Sequence, residues 1–401
     1  MNEDEKRKRK VNWKRFAFTA LTLLLVAALS AGTVWLVMER KLRENKPYEK
    51  LLEAVRLIDE NYIGEVDTGT VIDGAIDGMM AGLGDRWSYY VSLDEMEEHM
   101  ENVNNSYVGI GITVAKADGE GLVVQEVAAG GGAEEAGLVP GDMILAADGT
   151  SLLNMDLDAA KKLVKGAEGT SVVLTVQHED GSQEDISVQR RLVETETVTA
   201  ELIGSVGYVT ISNFNHGVAE HFIAAVDDLI AQGAQGLVFD VRFNGGGRLT
   251  ELMDMLDYLL PEGLLFSSEN NAGVESSVYS DADCIELPMA VLVNDNTYSA
   301  AEFFAEALRE YEWAVVVGQH TTGKGYSQST LYLSDGSAIV LSTKAYYTPH
   351  GQSLADVGIT PDIEKEISDE DYYSLYMGRL DHADDEQLQL ALESVEEKIA
   401  G

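Results

Sequence analysis

The sequence has 401 residues and is strongly acidic, with 69 Asp and Glu against 28 Lys and Arg and a net charge of −41. Apolar residues make up 45% of it, which is ordinary for a globular protein and excludes a mainly disordered chain. A surface this acidic repels nucleic acid, so no nucleic-acid partner is expected. The single cysteine, Cys284, excludes a framework of internal disulfides.

A basic segment and a long apolar run open the chain. Residues 1–15 carry seven basic and three acidic side chains, and residues 16–38 form an uncharged stretch. About 20 apolar residues span a bilayer as a helix, and basic flanks mark the cytoplasmic side. We therefore expect a single-pass protein of the cell membrane, with a cytoplasmic N-terminus and the remainder outside. A signal peptide cleaved near Ala28-Leu29-Ser30 is the alternative.

Residues 46–104 are predicted to form a helical block. Apolar residues recur at helical spacing over 46–65 and again over 70–83, and the acidic stretch 94–101 favours a third helix. This block carries no recognisable catalytic motif. We expect it to serve packing or the formation of a homodimer.

Short β-rich runs separated by glycine turns follow over residues 105–192. Strands are predicted at Gly109–Val114, Gly121–Val127, Ser171–Gln177 and Asp185–Gln189, with one helix at Leu157–Val164. The loop Tyr107–Ile112, the turn Ala136–Ile144 and the pair Asp148-Gly149 together resemble a PDZ domain. Glycines let backbone N–H groups converge on a carboxylate, and an adjoining strand edge can pair with a peptide. An unrelated small β domain is the alternative.

The PDZ resemblance implies a set of peptide-binding residues. They are Val108, Gly109, Ile110, Gly111 and Ile112 of the glycine loop. In PDZ-regulated relatives an Arg near the end of the PDZ helix can sense substrate, and Lys165 stands nearest to that position here.

Residues 193–401 are predicted to form a layered α/β core with largely parallel strands and a C-terminal helix. Apolar, β-branched runs occupy Tyr208–Ile211, Gly236–Phe243, Met289–Asn294 and Ala314–Gly318. Helices are expected between them at about 217–232, 248–260 and 300–311, and such alternation is typical of parallel sheets.

Ser299 stands where a buried strand gives way to a helix. With Glu302 it fits the capping box S-x-x-E, which is the ordinary role of a serine at this point. A serine at a helix N-terminus also faces backbone N–H groups and the positive end of the helix dipole, an environment that suits a nucleophile.

Lys324 follows 25 residues later, between Gly323 and Gly325. A lone lysine between glycines is ordinarily a solvated turn residue. However, a serine nucleophile needs a base, and the seven histidines form no recognisable triad pattern, although His320 is near. Lysine can serve when burial lowers its pKa towards neutrality.

The segment Asp240–Gly247 ends a predicted buried strand with three glycines. A phosphate-binding loop is the alternative, but the Lys-Ser/Thr pair of such loops is missing. A glycine loop at a strand end can also direct an N–H group at an oxyanion.

Together these elements resemble the carboxy-terminal processing peptidases of family S41, serine proteases that use a Ser–Lys dyad. Asp240–Gly247 is similar to the family's DLRxNPGG segment, with Val and Gly substituted. Tyr298–Glu302 resembles aSAsE, and Gly323-Lys324-Gly325 with Gln328 resembles GKGxxQ. Asp335–Ala338, Tyr347–Pro349 and Gly358–Asp362 look like its C-terminal signature. The likeness extends over about residues 46–395.

The resemblance implies a crotonase- or Clp-peptidase-like α/β core with the PDZ domain inserted before it. Ser299 would be the nucleophile, neutral Lys324 the general base, and Gln328 the residue that orients Lys324. The N–H groups of Ala300 and Gly246 would form the oxyanion hole, and no metal or cofactor is required. Substrates would be extracytoplasmic proteins captured by their C-termini. A non-catalytic PDZ scaffold is the alternative; a trypsin-like protease lacks its motifs here.

Overall fold

The computed structural model describes residues 46–117 and 121–401. The predicted basic segment 1–15 and membrane anchor 16–38 lie outside these residues. Among the residues that are described, no helix is both long enough and apolar enough to cross a membrane. The chain divides into two compact units between Gly82 and Leu83.

The first unit contains two helices in its described part, α1 (Lys46–Asn61) and α2 (Thr68–Ala81). Both lie close to the predicted ranges. Helix α2 begins after Asp67, whose carboxylate accepts a hydrogen bond from the N–H of Gly69 at 2.9 Å. Such an N-cap satisfies a donor that the first helical turn leaves unpaired.

The second unit begins with a strand and a helix. Strand β1 (Tyr89–Val91) pairs with the strand Ala338–Tyr347 from the last quarter of the chain. Helix α3 (Met96–Asn104) follows β1. The predicted acidic helix at 94–101 is therefore present, shifted by two or three residues. The helix ends at Asn105, which adopts a left-handed conformation with φ 49°.

A β-rich region covers residues 106–194. A two-stranded sheet joins β2 (Ser106–Gly109) to β9 (Arg191–Glu194). A second sheet has the order β3-β4-β5-β7-β8, with β6 on β5, and is accompanied by helices α4 and α5. Its elements are β3 (Ile112–Ala117), β4 (Gly121–Val127), α4 (Gly132–Ala136), β5 (Met143–Ala147), β6 (Thr150–Ser151), α5 (Leu157–Val164), β7 (Ser171–Gln177) and β8 (Gln183–Gln189).

One predicted strand in this region was wrong in its bounds. The run Gly109–Val114 is not continuous, because the chain leaves β2 after Gly109 and starts β3 at Ile112. Gly111 has a φ of 78°, a conformation that favours glycine and turns the chain between the two sheets. Strand β3 lies at the edge of its sheet, and α5 matches its predicted range.

The α/β core is built on a six-stranded sheet of order β10-β11-β12-β15-β16-β19. All neighbours from β11 onward are parallel, and β10 is antiparallel to β11. The strands are β10 (Val198–Ile203), β11 (Val206–Ile211), β12 (Gly236–Asp240), β15 (Met289–Val293), β16 (Ala314–Gly318) and β19 (Ile363–Glu364). The predicted parallel core is therefore correct.

Helices cover both faces of this sheet. They are α6 (Val218–Gln232), α7 (Leu249–Leu259), α8 (Ala300–Glu310), α9 (Asp369–Tyr376) and α10 (Glu386–Ala400). Alternate strand residues separate the two layers. Phe239 and Val291 belong to the cluster that contains α6, α7 and α8 residues, whereas Val238 and Leu292 pack with α10 residues. Burial on both faces explains the continuous apolar runs in the sequence.

An antiparallel sheet lies beside the parallel one and was not placed from the sequence. Its order is β1-β18-β13-β14, with β17 paired to β18. Its further strands are β13 (Gly263–Asn270), β14 (Glu275–Ser280), β17 (Tyr326–Tyr332) and β18 (Ala338–Tyr347). This sheet carries the chain that follows Lys324, and it receives β1 from the beginning of the second unit.

Strand β12 ends earlier than the predicted range Gly236–Phe243. The carboxylate of Asp240 accepts the N–H of Arg242 at 3.0 Å and turns the chain out of the sheet. Phe243 then adopts a φ of 60°, stabilised by its N–H bond to Asn294 Oδ1 at 2.9 Å. The strand end becomes a shaped loop that leads into the three glycines.

Candidate active site

Ser299 immediately precedes helix α8 in a backbone conformation that is rare for a residue with a side chain. Its φ is 62° and its ψ is −123°. The preceding N–H, that of Tyr298, donates to the carbonyl of Asn244 at 3.1 Å, and the N–H of Ser299 donates to Glu302 at 3.0 Å. The predicted capping box is present. Backbone strain maintained by surrounding bonds is characteristic of functional turns.

The glycine loop packs directly against this turn. A Cβ added to Gly246 would lie 2.8 Å from Ser299 Cβ and 2.8 Å from the nitrogen of Ala300, so no larger residue fits. The N–H of Ala300, at the first position of α8, makes no hydrogen bond within the described residues. The N–H of Gly246, by contrast, donates to Asn244 Oδ1 at 2.8 Å in this conformation.

Glu302 connects the Ser299 turn to the Lys324 loop. Its carboxylate is fully buried and accepts the N–H groups of Ser299 at 3.0 Å, Gly323 at 2.7 Å and Lys324 at 2.9 Å. The hydroxyl of Thr321 donates to it as well. Burial raises the pKa of Glu302, and these four donors oppose that rise. The sequence indicated only the helix cap, because Glu302 lies about twenty residues from the loop it organises.

The amine of Lys324 is enclosed by aromatic rings. Its Nζ lies 4.7 Å from the ring centroid of Trp87 and 5.7 Å from that of Tyr298. Burial lowers the pKa of Lys324 from 10.5 to about 8, although the carboxylates of Asp85 and Glu302 oppose this shift. At mildly alkaline pH the Lys324 amine is therefore neutral, and able to accept a proton, in a substantial fraction of the molecules.

Tyr346 provides a second connection that the sequence did not reveal. Its hydroxyl donates to the backbone carbonyl of Lys324 and contacts the side chain of Ser299. Burial raises the pKa of Tyr346 well above its ordinary value, and the Glu302 carboxylate adds to the rise, so the hydroxyl remains protonated. The only sequence signal was its position beside the Tyr347–Pro349 signature.

Gln328 is placed differently from its predicted role. Its Nε2 donates to the carbonyl of Tyr326 at 2.9 Å and to Ser342 Oγ at 3.0 Å. Within the described residues it has no hydrogen bond to Lys324. Orientation of Lys324 by Gln328 stays a prediction, and the observed contacts suggest that any such effect is indirect.

A buried ion cluster supports the glycine loop from behind. The guanidinium of Arg242 pairs with Asp240 at 2.5 Å and with Asp385 at 2.7 Å, and it donates to Gln387 at 3.0 Å. Tyr208 donates to Asp240 at 2.7 Å. Since every charge has an opposite partner, the cluster fixes the end of β12 to the start of α10. Neither this cluster nor any other group of His, Cys, Asp or Glu in the described residues is arranged to hold a metal ion.

An aromatic cavity of about 310 Å³ lies next to the turn that holds Ser299. Phe243, Asn296, Tyr298, Tyr372 and Tyr376 line it. Its walls therefore come from the loop before the glycines, from the residue before Ser299, and from helix α9. The Phe243 ring contacts Tyr372 edge-on with a centroid distance of 4.9 Å.

A larger groove of about 1030 Å³ lies between β3, α5 and α3. Gly109, Ile110, Gly111, Ile112 and Lys165 all line it, as the PDZ resemblance implies, whereas Val108 does not. The ammonium of Lys165 pairs with Glu101 of α3 at 2.6 Å and lies 5.8 Å from the Tyr107 ring centroid. These residues therefore share one groove, where the Glu101 carboxylate pairs with the Lys165 ammonium. Peptide binding in this groove stays a prediction.

A peptidase core with an adjoining PDZ-like groove is the class of protein that this fold and site define. Residues 205–365 match the peptidase family S41, residues 123–178 match the PDZ domain, and residues 29–95 match the N-terminal domain of the activating protease CtpB. The motif resemblance is therefore confirmed.

Whole-chain relatives place the chain more closely. It is 32% identical over 325 residues to the carboxy-terminal processing protease CtpA of Bacillus subtilis, covering 80% of this chain and 70% of that protein. It is 29% identical over 386 residues to a probable CtpA-like serine protease of Staphylococcus haemolyticus, covering 93% and 77%. The chain belongs to the S41 carboxy-terminal processing proteases and is a serine-type endopeptidase.

Solved structures agree on the fold. A putative S41 protease from Bacteroides fragilis superimposes with a TM-score of 0.51 at 18% identity, covering 84% of this chain and 92% of that one. At this identity the likeness concerns the architecture alone.

Proposed function

We propose that the protein is a membrane-anchored endopeptidase in which Ser299 and Lys324 form the catalytic dyad. The observation that carries this proposal is the Glu302 carboxylate, which binds the N–H groups of both residues. It fixes a serine on a strained turn beside a lysine whose pKa burial lowers to about 8. A nucleophile and a base held by one buried anchor fit covalent acyl transfer.

The reaction would use Lys324 as base and then as acid, once in acylation and once in deacylation. The neutral amine of Lys324 takes the hydroxyl proton as Ser299 Oγ attacks the scissile carbonyl carbon. The tetrahedral oxyanion then faces the N–H of Ala300 at the start of α8, where the helix dipole also favours negative charge. The Lys324 ammonium returns the proton to the leaving nitrogen as the C–N bond breaks. The neutral amine that results removes a proton from the water that attacks the acyl-enzyme, and the proton passes to Ser299 Oγ as the acyl group leaves.

Gly246 is the proposed second donor of the oxyanion hole. In the observed conformation its N–H is bound to Asn244. Catalysis would therefore include a small rotation of the glycine loop that exchanges Asn244 Oδ1 for the oxyanion. The three consecutive glycines make such a rotation inexpensive in steric terms.

Substrates would be extracytoplasmic proteins whose C-termini enter the PDZ-like groove. The edge strand β3 would pair with the peptide backbone, and the loop Gly109–Ile112 would receive the terminal carboxylate. The aromatic cavity beside Ser299 would take a side chain near the scissile bond. The apolar run 16–38 supports the anchor, and the exposed apolar residues Leu51 and Leu57 of α1 support a homodimer.

Replacing Ser299 tests the proposal. In the full chain, Ser299→Ala should reduce hydrolysis of an unstructured peptide by about 10³-fold or more. Ser277→Ala, at an exposed serine of β14, is the matched control and should retain activity. Unchanged hydrolysis in Ser299→Ala would reject the dyad. For the anchor, deletion of 16–38 should move the protein from the membrane fraction to the supernatant.

A further inference from the structure

The segment Asp85–Ser88 lies within the block that the sequence predicted to be without chemistry. Strand β1 follows it directly and pairs with β18 of the catalytic core, Tyr90 opposite Ile339. This pairing places the segment at the Lys324 loop, where Arg86 donates to the carbonyl of Thr322 at 3.4 Å. A part of the chain about 240 residues before Lys324 therefore reaches the active site.

Trp87 is the residue of this segment that contacts the base. Its ring centroid lies 4.7 Å from Lys324 Nζ and 5.3 Å from the ring of Tyr298. The guanidinium of Arg86 lies 4.3 Å from the same indole. Within the described residues the Lys324 amine has ring contacts but no hydrogen bond, so its surroundings are mainly these aromatic surfaces.

We propose that Trp87 is a positioning residue for the general base, covering the Lys324 amine, excluding water from it and thereby keeping it neutral. The inference rests on the proposed dyad, and it extends the active site to a residue that precedes the PDZ-like region. Trp87 would act on the reaction only through Lys324 and would not touch the reacting atoms.

A chain of hydrogen bonds fixes Trp87 in place. Asp85 accepts the N–H of Trp87 at 3.0 Å and the hydroxyl of Ser88 at 2.6 Å. Ser88 Oγ accepts the N–H of Ser342 at 2.9 Å, and Ser342 Oγ accepts from Gln328 Nε2 at 3.0 Å. Gln328 therefore supports the segment that carries Trp87, which gives it an indirect path to Lys324.

The charges around the amine make exclusion of water decisive. The charged groups that act on it from neighbouring elements are the carboxylates of Asp85 and Glu302 and the guanidinium of Arg86. Two tyrosines are also near the Lys324 loop: the ring of Tyr298 lies 5.7 Å from the amine, and the hydroxyl of Tyr346 binds the backbone carbonyl of Lys324. Both carboxylates favour the ammonium form, and only burial and Arg86 oppose them. If water reached the amine, only Arg86 would remain to hold its pKa below the ordinary value.

The indole also has an effect of the opposite sign, which the experiment must separate. An aromatic face attracts a cation and so favours the ammonium. Leucine at position 87 keeps an apolar cover but has no π face, whereas alanine removes both. If exclusion of water dominates, Trp87→Ala should raise the pKa of Lys324, and Trp87→Leu should leave it unchanged or lower it.

The test measures the Lys324 pKa in two ways on the full chain. The first is the pH dependence of kcat/KM for an unstructured peptide in Trp87→Ala, Trp87→Leu and Trp87→Phe. The second is the titration of the ¹³Cε signal of labelled lysine in the Ser299→Ala background, assigned by its loss in Lys324→Arg. Thermal unfolding of each variant verifies that it is folded.

In Trp87→Ala we expect both pKa values to rise by at least about one unit, which lowers activity about tenfold near neutral pH and restores it at alkaline pH. Trp87→Phe should stay near the parent. A loss of activity in Trp87→Ala with both pKa values unmoved would overturn the proposal and leave Trp87 a packing residue. If the parent chain shows no peptidase activity while the Lys324 NMR titration still shifts in Trp87→Ala, the Trp87 inference is retained and the dyad is rejected.

Discussion

The peptidase core and the PDZ-like region each contain a lysine that we assign to a site, and the surroundings of these two lysines differ. The amine of Lys324 lies against two aromatic rings and makes no ion pair within the part of the chain that the structure describes, whereas Lys165 is partly exposed and pairs with Glu101 at 2.6 Å. Burial without a paired anion favours the neutral amine, which can remove a proton. An exposed ammonium with a carboxylate partner suits recognition of a peptide carboxylate.

Removing Lys324, the proposed general base, should have the largest effect. Lys324→Met keeps much of the side-chain volume but has no base, so peptide hydrolysis should fall by about 10³-fold. The parent should show activity that rises with pH through an inflection near the Lys324 pKa of about 8. Initial rates between about pH 6 and pH 10 measure both. An inflection that persists in a residual activity of Lys324→Met would assign the titration to another group.

Replacing Glu302, whose carboxylate holds the Ser299 and Lys324 backbones together, should have the next largest effect. Glu302→Gln leaves one acceptor oxygen. Its amide NH₂ faces the N–H of Gly323 in one orientation and the N–H groups of Ser299 and Lys324 in the other. We expect a loss of about 10²-fold in kcat from misplacement and of roughly 3 kcal/mol in unfolding free energy. Glu269→Gln, at a solvent-exposed position on β13, is the control for a charge change alone. Full activity in Glu302→Gln would dismiss the anchor.

Burial of Lys324 lowers the free energy of unfolding at pH values where the amine is protonated. The folded-state pKa of about 8 lies below the ordinary value of 10.5, so the unfolded chain binds the extra proton between these pH values. Parent stability therefore rises across that window. Below about pH 8, Lys324→Met should be more stable than the parent by at most about 3 kcal/mol, and the difference should vanish above about pH 10.5. Denaturant unfolding at several pH values measures it.

Changing the PDZ lysine should have the smallest effect. Lys165→Met should raise KM about fivefold for peptides with a free terminal carboxylate and leave C-terminally amidated peptides unchanged. Glu101→Gln frees Lys165 from its internal partner and should lower KM for the carboxylate peptides. Equal changes for free and amidated peptides would show that Lys165 does not read the terminus.

The sequence predicted the parallel core, the PDZ-like loop and the Ser299 and Lys324 loops because each depends on local pattern. Strand β12 appeared longer than it is, since Val241 and Phe243 are apolar while the turn depends on the carboxylate of Asp240. Trp87 was missed because its role arises from the pairing of β1 with β18. Tyr346 was missed because its hydroxyl meets a carbonyl that lies 22 residues earlier in the chain. Glu302 was assigned to the cap alone, because its other donors come from a distant loop.

The ion cluster around Arg242 makes the shape of the glycine loop depend on a residue that is synthesised much later. The Arg242 guanidinium is completed by Asp385, 143 residues later in the chain. In a nascent chain Asp240 already compensates the charge of Arg242, but the guanidinium lacks its second carboxylate until Asp385 has been synthesised. The loop should therefore settle only after nearly the whole catalytic domain has emerged. The proposed peptidase activity would then arise only late in the synthesis of the chain.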